Sequence, residues 1–142
     1  MRMTTFGSGL FGLAICLAAG TASAEEMKFM AELTGAQEVP PVETTASGMM
    51  DVTYDTESKM LSWTGEYSGL SGDATASHYH GPAPAGENAG PVLPVEIADI
   101  EEGSAELTEE QATALQDGMW YFNIHTEANP AGEIRGQVVA AQ

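Results

Sequence analysis

The chain has three histidines, and all of them fall in polar motifs. His78 and His80 stand two residues apart in Ser77-His78-Tyr79-His80-Gly81, and His125 lies in Asn123-Ile124-His125-Thr126. On a β-strand an i, i+2 pair projects both imidazoles from one face and puts Tyr79 on the other. A third imidazole from a distant strand would complete a three-nitrogen set with an open fourth position. Imidazole suits copper and zinc, so copper is the first candidate ion and zinc the second. The competing reading gives each ring a structural hydrogen bond and no ion. Asn123 and Thr126 flank His125 and are expected either to fix its tautomer or to close a turn.

Other chemistry is thinly represented. Every His is claimed by the candidate metal set, so no nucleophile–base pair can be drawn and no catalytic residue is assigned. There is no phosphate-binding loop and no Asp-x-Asp-x-Asp-Gly calcium loop. Met27, Met30, Met49, Met50, Met60 and Met119 could offer thioethers to Cu(I), but their alternating context reads as core packing. Arg135 is isolated in an acidic chain and is expected to clamp a carboxylate bidentately, with Glu127 or Glu133 as partner. Glu38, just before Pro40-Pro41, is read as shaping a loop, with no chemistry of its own.

The first residues read as a targeting segment. Arg2 precedes an apolar, small-residue stretch from Phe6 to Gly20, and Ala22-Ser23-Ala24 supplies a cleavage pattern before Glu25. Residues 1–24 are therefore expected to be a signal peptide, and the mature domain to run from Glu25 to Gln142 in the periplasm or outside the cell. Cleavage removes Cys16, the single cysteine, and with it any thiolate site or disulfide. Cys16 could carry a lipid, but Ile15 stands where such a site wants a small residue. The formal net charge is −17, and all 21 acids lie beyond Ala24 against Lys28, Lys59 and Arg135. Such a surface disfavours nucleic acid and anionic membranes as partners, and no membrane insertion is expected after cleavage. A metal ion and another exported protein are the remaining partner classes.

The elements that must position the histidines are strands. Met27–Leu33, Gly48–Tyr54 and Lys59–Tyr67 alternate apolar and polar residues, with Asp55-Thr56-Glu57-Ser58 as the turn between the last two. Gln37–Val42 contains adjacent prolines and belongs to an edge or a crossing loop. Thr75–His80, Val92–Ile97, Gly103–Leu107, Met119–Thr126 and Gly132–Val139 complete the strand series. Pro82–Pro91 is a loop. Thr108–Gln116 reads as one helix, with Thr108 as N-cap, Gln111 in the capping-box position and Gly118 as terminator. The sum is one domain, an antiparallel β-sandwich of about seven to nine short strands with one helix.

The motifs also occur in a recognisable order. Leu33-Thr34-Gly35-Ala36-Gln37-Glu38-Val39-Pro40-Pro41-Val42 comes first, then Leu61-Ser62-Trp63 and Gly69-Leu70. Ala76-Ser77-His78-Tyr79-His80-Gly81-Pro82-Ala83, Gly118–Thr126 and Asn129-Pro130-Ala131-Gly132-Glu133-Ile134-Arg135-Gly136-Gln137-Val138 follow. This series resembles the CHRD domain, the module named after chordin and found in many short exported bacterial proteins. The resemblance spans about Ala31 to Val138. It implies an extracytoplasmic β domain and leaves the biochemical role open, since the cysteine-rich repeats that bind growth factors in chordin are missing. The positions carried over are His78, His80, Asn123, His125, Glu133 and Arg135. Tyr79 stands where the family commonly has an aliphatic residue.

Overall fold

The structure is a computed structural model that describes Gly20 and residues 23–142. The expected leader, including Cys16, lies almost wholly outside the described residues. Nine strands are present: β1 (Glu26–Thr34), β2 (Ser47–Asp55), β3 (Met60–Ser68), β4 (Ala74–His80), β5 (Pro91–Val95), β6 (Glu102–Glu106), β7 (Tyr121–Thr126), β8 (Ile134–Gln137) and β9 (Val139–Ala140). Among the described residues there is one α-helix, α1 (Glu109–Gln116), between β6 and β7, and there are two single 3-10 turns, Gly35–Gln37 and Ile97–Asp99. The expected strands and helix all appear, with their ends moved by a residue or two. The final strand is divided into β8 and β9.

Every pairing is antiparallel, in the order β5-β4-β7-β8-β1-β2-β3-β6, with β9 added beside β1. Between β8 and β1 the ladder is one pair long, Thr34 with Arg135. The single sheet folds over on itself, with β5-β4-β7-β8 and β1-β2-β3-β6 as its halves around one core, sandwich- or barrel-like and mainly β as the alternation predicts. In one half Phe29, Val52 and Trp63 form a cross-strand row. In the other, Tyr79 pairs with Phe122, and Ser77, Ile124 and Ile134 form a row. The apolar members of these rows are buried in one cluster with Leu33, Met50, Leu61, Ile100 and Trp120. Removing such side chains from water, at roughly 1.5–3 kcal/mol each, is the main drive for closing the halves.

Local chemistry explains the connections. Asp55 Oδ1 accepts from the backbone N–H groups of Glu57 (2.9 Å) and Ser58 (2.7 Å), which shapes the β2–β3 turn. Thr108 caps α1 reciprocally: its hydroxyl accepts from Gln111 N (3.2 Å), and Gln111 Oε1 accepts from Thr108 N (2.9 Å). Pro91 and Pro94 are tolerated in β5 because it is an edge strand. Among the described residues no helix is long and apolar enough to cross a membrane.

Candidate metal centre

The registers of β4 with β7 and β7 with β8 build one polar face. His78 stands opposite Asn123, His80 opposite Tyr121, and His125 opposite Ala76 beside a bulge. On the far side of β7, Asn123 faces Arg135 and Tyr121 faces Gln137. Period-two alternation sends Tyr79, Phe122, Ile124 and Ile134 into the core and all these polar groups outward. This outward face is nevertheless covered. Tyr121, Asn123 and Arg135 are buried, His80 is 9% exposed, and His78 and His125 are half-buried.

The cover is the loop 81–90 and the turn 127–132, both tied down by the site itself. His80 Nδ1 donates to Ala89 O (2.9 Å), and Ala89 N donates to the Tyr121 hydroxyl (3.0 Å). Arg135 donates to Asn88 Oδ1 (2.7 Å) and to the Glu87 carbonyl. Asn88 Nδ2 in turn donates to Val39 O (3.0 Å). In the turn, Pro130 O accepts from His125 Nδ1 (2.9 Å).

The three imidazoles each offer a ligand atom, and these atoms lie within 4.8 Å of one another. His78 Nδ1 is 3.2 Å from His125 Nε2, and His80 Nε2 is 2.9 Å from Asn123 Oδ1. Because Nδ1 of His80 and of His125 is committed to a backbone carbonyl, Nε2 of each is the atom left for an ion. A backbone carbonyl on the distal N–H is how metal-bound histidines are commonly oriented. The donor set therefore fits a borderline ion such as copper or zinc. The His78–His125 pair already matches the roughly 3.4 Å spacing of a tetrahedral set with 2.0–2.1 Å bonds, and the remaining pairs lie within 4.8 Å.

Burial is the main reason His78 and His80 titrate below the ordinary histidine value. Repulsion from His125 adds to this at His78; at His80 the bonds to Ala89 and Asn123 oppose it, and the other two rings reinforce it. Both rings are thereby biased toward the neutral form that binds metals. Tyr121 lies flat on His80, with ring centroids 4.7 Å apart and planes at 3°. The Arg135 guanidinium lies over the same tyrosine ring, Cζ 3.5 Å from its centroid. The stack fixes the plane of His80.

The groups expected around the histidines are distributed differently. Asn123 turns its Oδ1 to His80 Nε2 (2.9 Å) rather than to His125, whose tautomer is set by Pro130 O. Thr126 does not reach His125; its hydroxyl donates to Glu133 Oε1 (2.9 Å). Arg135 clamps neither Glu127 nor Glu133: it holds the loop 81–90, and Lys59–Glu109 is the one ion pair among the described residues. Glu133 is fully buried in a separate cluster, accepting from Ser71, Thr126, Asn129 and Thr44. Burial would raise its carboxyl, but the hydrogen bonds from Ser71, Thr126 and Thr44 outweigh it and hold the value at about 2. It joins the segments around residues 44, 71 and 126–133.

Glu38, expected only to shape a loop, reaches the site instead. It is 6% exposed, and its Oε1 has no hydrogen-bond partner. Burial raises its carboxyl to about 7, against the opposing pull of Arg135 and the Asn123 amide. Gly132, at φ +125°, permits this approach: a methyl group there would overlap Glu38 Oε1 and come within 2.6 Å of Asn123 Nδ2. Nothing periodic surrounds Glu38, and the sole signal was an acid beside two prolines.

The fold and site define an antiparallel β domain with a cluster of three histidines beside the loop 81–90. The family model for the CHRD domain matches residues 29–138, and the chain belongs to this family. No curated protein and no solved structure matches it.

Proposed function

We propose that the chain is an exported CHRD-domain protein, periplasmic or secreted, that binds one transition ion through His78, His80 and His125. Copper is the first choice and zinc the second, and the role is metal handling or simple metal-centred redox chemistry. The observation that carries the reading is the convergence of three imidazoles within 4.8 Å, two of them anchored through Nδ1 on Ala89 O and Pro130 O. A bound ion would act as a Lewis acid or a one-electron centre. The protein's part is to aim the rings, hold their tautomers and restrict water through the loop 81–90.

The second reading is a non-catalytic interaction module with structural histidines. It is favoured by the fact that each ring already has a protein partner. Elemental analysis of native protein purified without a His-tag separates the two. Near-stoichiometric copper or zinc supports the metal reading, and metal-free protein that takes up neither ion supports the module. Export is checked by intact mass, with Glu25 as the expected first residue.

A further inference from the structure

We propose that Asn123 Oδ1 is the fourth donor of the centre, held in aim by Glu38 and the Ala131 carbonyl. The inference rests on the three-histidine reading and replaces its open fourth position with a protein ligand.

His80 spends its Nδ1–H on Ala89 O, so in the neutral ring Nε2 presents a lone pair. The atom opposite, 2.9 Å away, is Asn123 Oδ1, which also presents a lone pair. Two acceptors at hydrogen-bond distance in a buried setting repel each other unless a cation is shared between them. A proton on Nε2 is one such cation, and a metal ion is the other. Two ligands bound at 2.0–2.1 Å and about 90–109° apart are separated by roughly 2.9–3.4 Å. Both close pairs in the site, His80 with Asn123 at 2.9 Å and His78 with His125 at 3.2 Å, fall in this window. Asn123 also stands opposite His78 in the ladder, so its side chain leaves the sheet among the rings.

The orientation of the amide is determined by what lies behind it. Asn123 Nδ2 donates to Ala131 O (3.4 Å) and faces the Glu38 carboxyl across Gly132. Reversing the amide would set its oxygen against two other oxygens, so Oδ1 is the atom turned to the histidines. This gives a task to the buried Glu38 carboxyl, whose Oε1 lies beside the Asn123 amide over Gly132: it is a positioning residue that acts through Asn123. Copper and zinc both accept a carbonyl oxygen beside imidazoles.

The test uses the mature protein and Cu(II) alone. Pulsed EPR in 17O-labelled water should show three nitrogens and no equatorial water in the parent, and a coordinated water in Asn123→Ala. Affinity should fall about 10- to 100-fold in Asn123→Ala. Asn123→Asp, which keeps an oxygen donor, should restore binding and keep water out. Glu38→Gln should weaken binding less and leave a mixture of the two spectra. Thermal unfolding of each variant confirms that it is folded, and if Asn123→Ala is not, the comparison rests on Asn123→Asp and the parent spectrum. A parent with three nitrogens and a bound water, or an Asn123→Ala affinity equal to the parent's, overturns the fourth ligand while leaving the histidine centre intact. A parent that binds no copper overturns both.

Discussion

His78 Nδ1 and His125 Nε2 meet at 3.2 Å although 47 residues separate them along the chain. The meeting is produced by the β4–β7 register and a bulge near Ala76, which bring His125 diagonally beside His78.

Metal binding is expected to persist to lower pH than an exposed His cluster would allow. His78 and His80 are held below the ordinary histidine value, mainly by burial, so protons compete less well for their nitrogens. In a zinc titration across pH, binding should survive at pH 6.5, where free histidine is half protonated, and fade below it. Loss of binding already above pH 7 would contradict the assignment.

Glu133 should stabilise the fold at neutral pH. Its carboxyl is depressed from 4.5 to about 2, so the folded state prefers the ionised form. That contribution is complete above pH 4.5 and is lost as pH falls from 4.5 toward 2. Glu133→Ala should lower stability by about 3 kcal/mol at pH 7, because several donors lose their acceptor, and by less near pH 3. Urea unfolding at the two pH values reads the difference. Equal losses would show that the hydrogen-bonded charge is unimportant.

Glu38 should have the opposite sign. Its folded value is raised from 4.5 to about 7, so its burial is tolerated at low pH and becomes unfavourable as pH climbs through this window. Glu38→Gln should leave stability nearly unchanged at pH 4.5 and raise it by about 1–3 kcal/mol at pH 8. A destabilised variant at pH 8 would mean that the charge is compensated by Arg135. The same substitution is expected to weaken copper binding, so this residue trades stability for the aim of Asn123.

The fold itself predicts two shielded indoles. Trp63 and Trp120 are 4% and 1% exposed, and Trp63 Nε1 donates to Asp99 O (2.9 Å). Fluorescence should resist acrylamide quenching, and circular dichroism should be dominated by strand. Thr108→Ala, which removes the cap of α1, should destabilise by about 1 kcal/mol without altering metal uptake.

Much of this architecture was legible from local pattern. Alternation around Trp63 and Phe122 locates strands and tells which face enters the core, and Thr108 with Gln111 marks the start of α1. The His78-x-His80 spacing likewise places both rings on one face. What alternation cannot tell is whether the opposite face meets water or a loop. Asn123, Arg135 and Glu133 fall on the polar side of the alternation, yet the loop 81–90 and the turn 127–132 bury them. The partners of Arg135 and Thr126 depended on that cover, so the expected Arg135 clamp was misplaced. Glu38 reaches the site from a segment with no period at all.

The most direct measurement is copper binding by the mature, tag-free protein and its His78→Ala, His80→Ala and His125→Ala variants, with calcium as the control ion. About one Cu(II) or Zn(II) per chain is expected in the parent, with a strong loss in each variant and only loose calcium binding, because a hard ion prefers oxygen ligands. Calcium bound as tightly as copper, or variants that bind copper like the parent, would contradict the three-histidine centre.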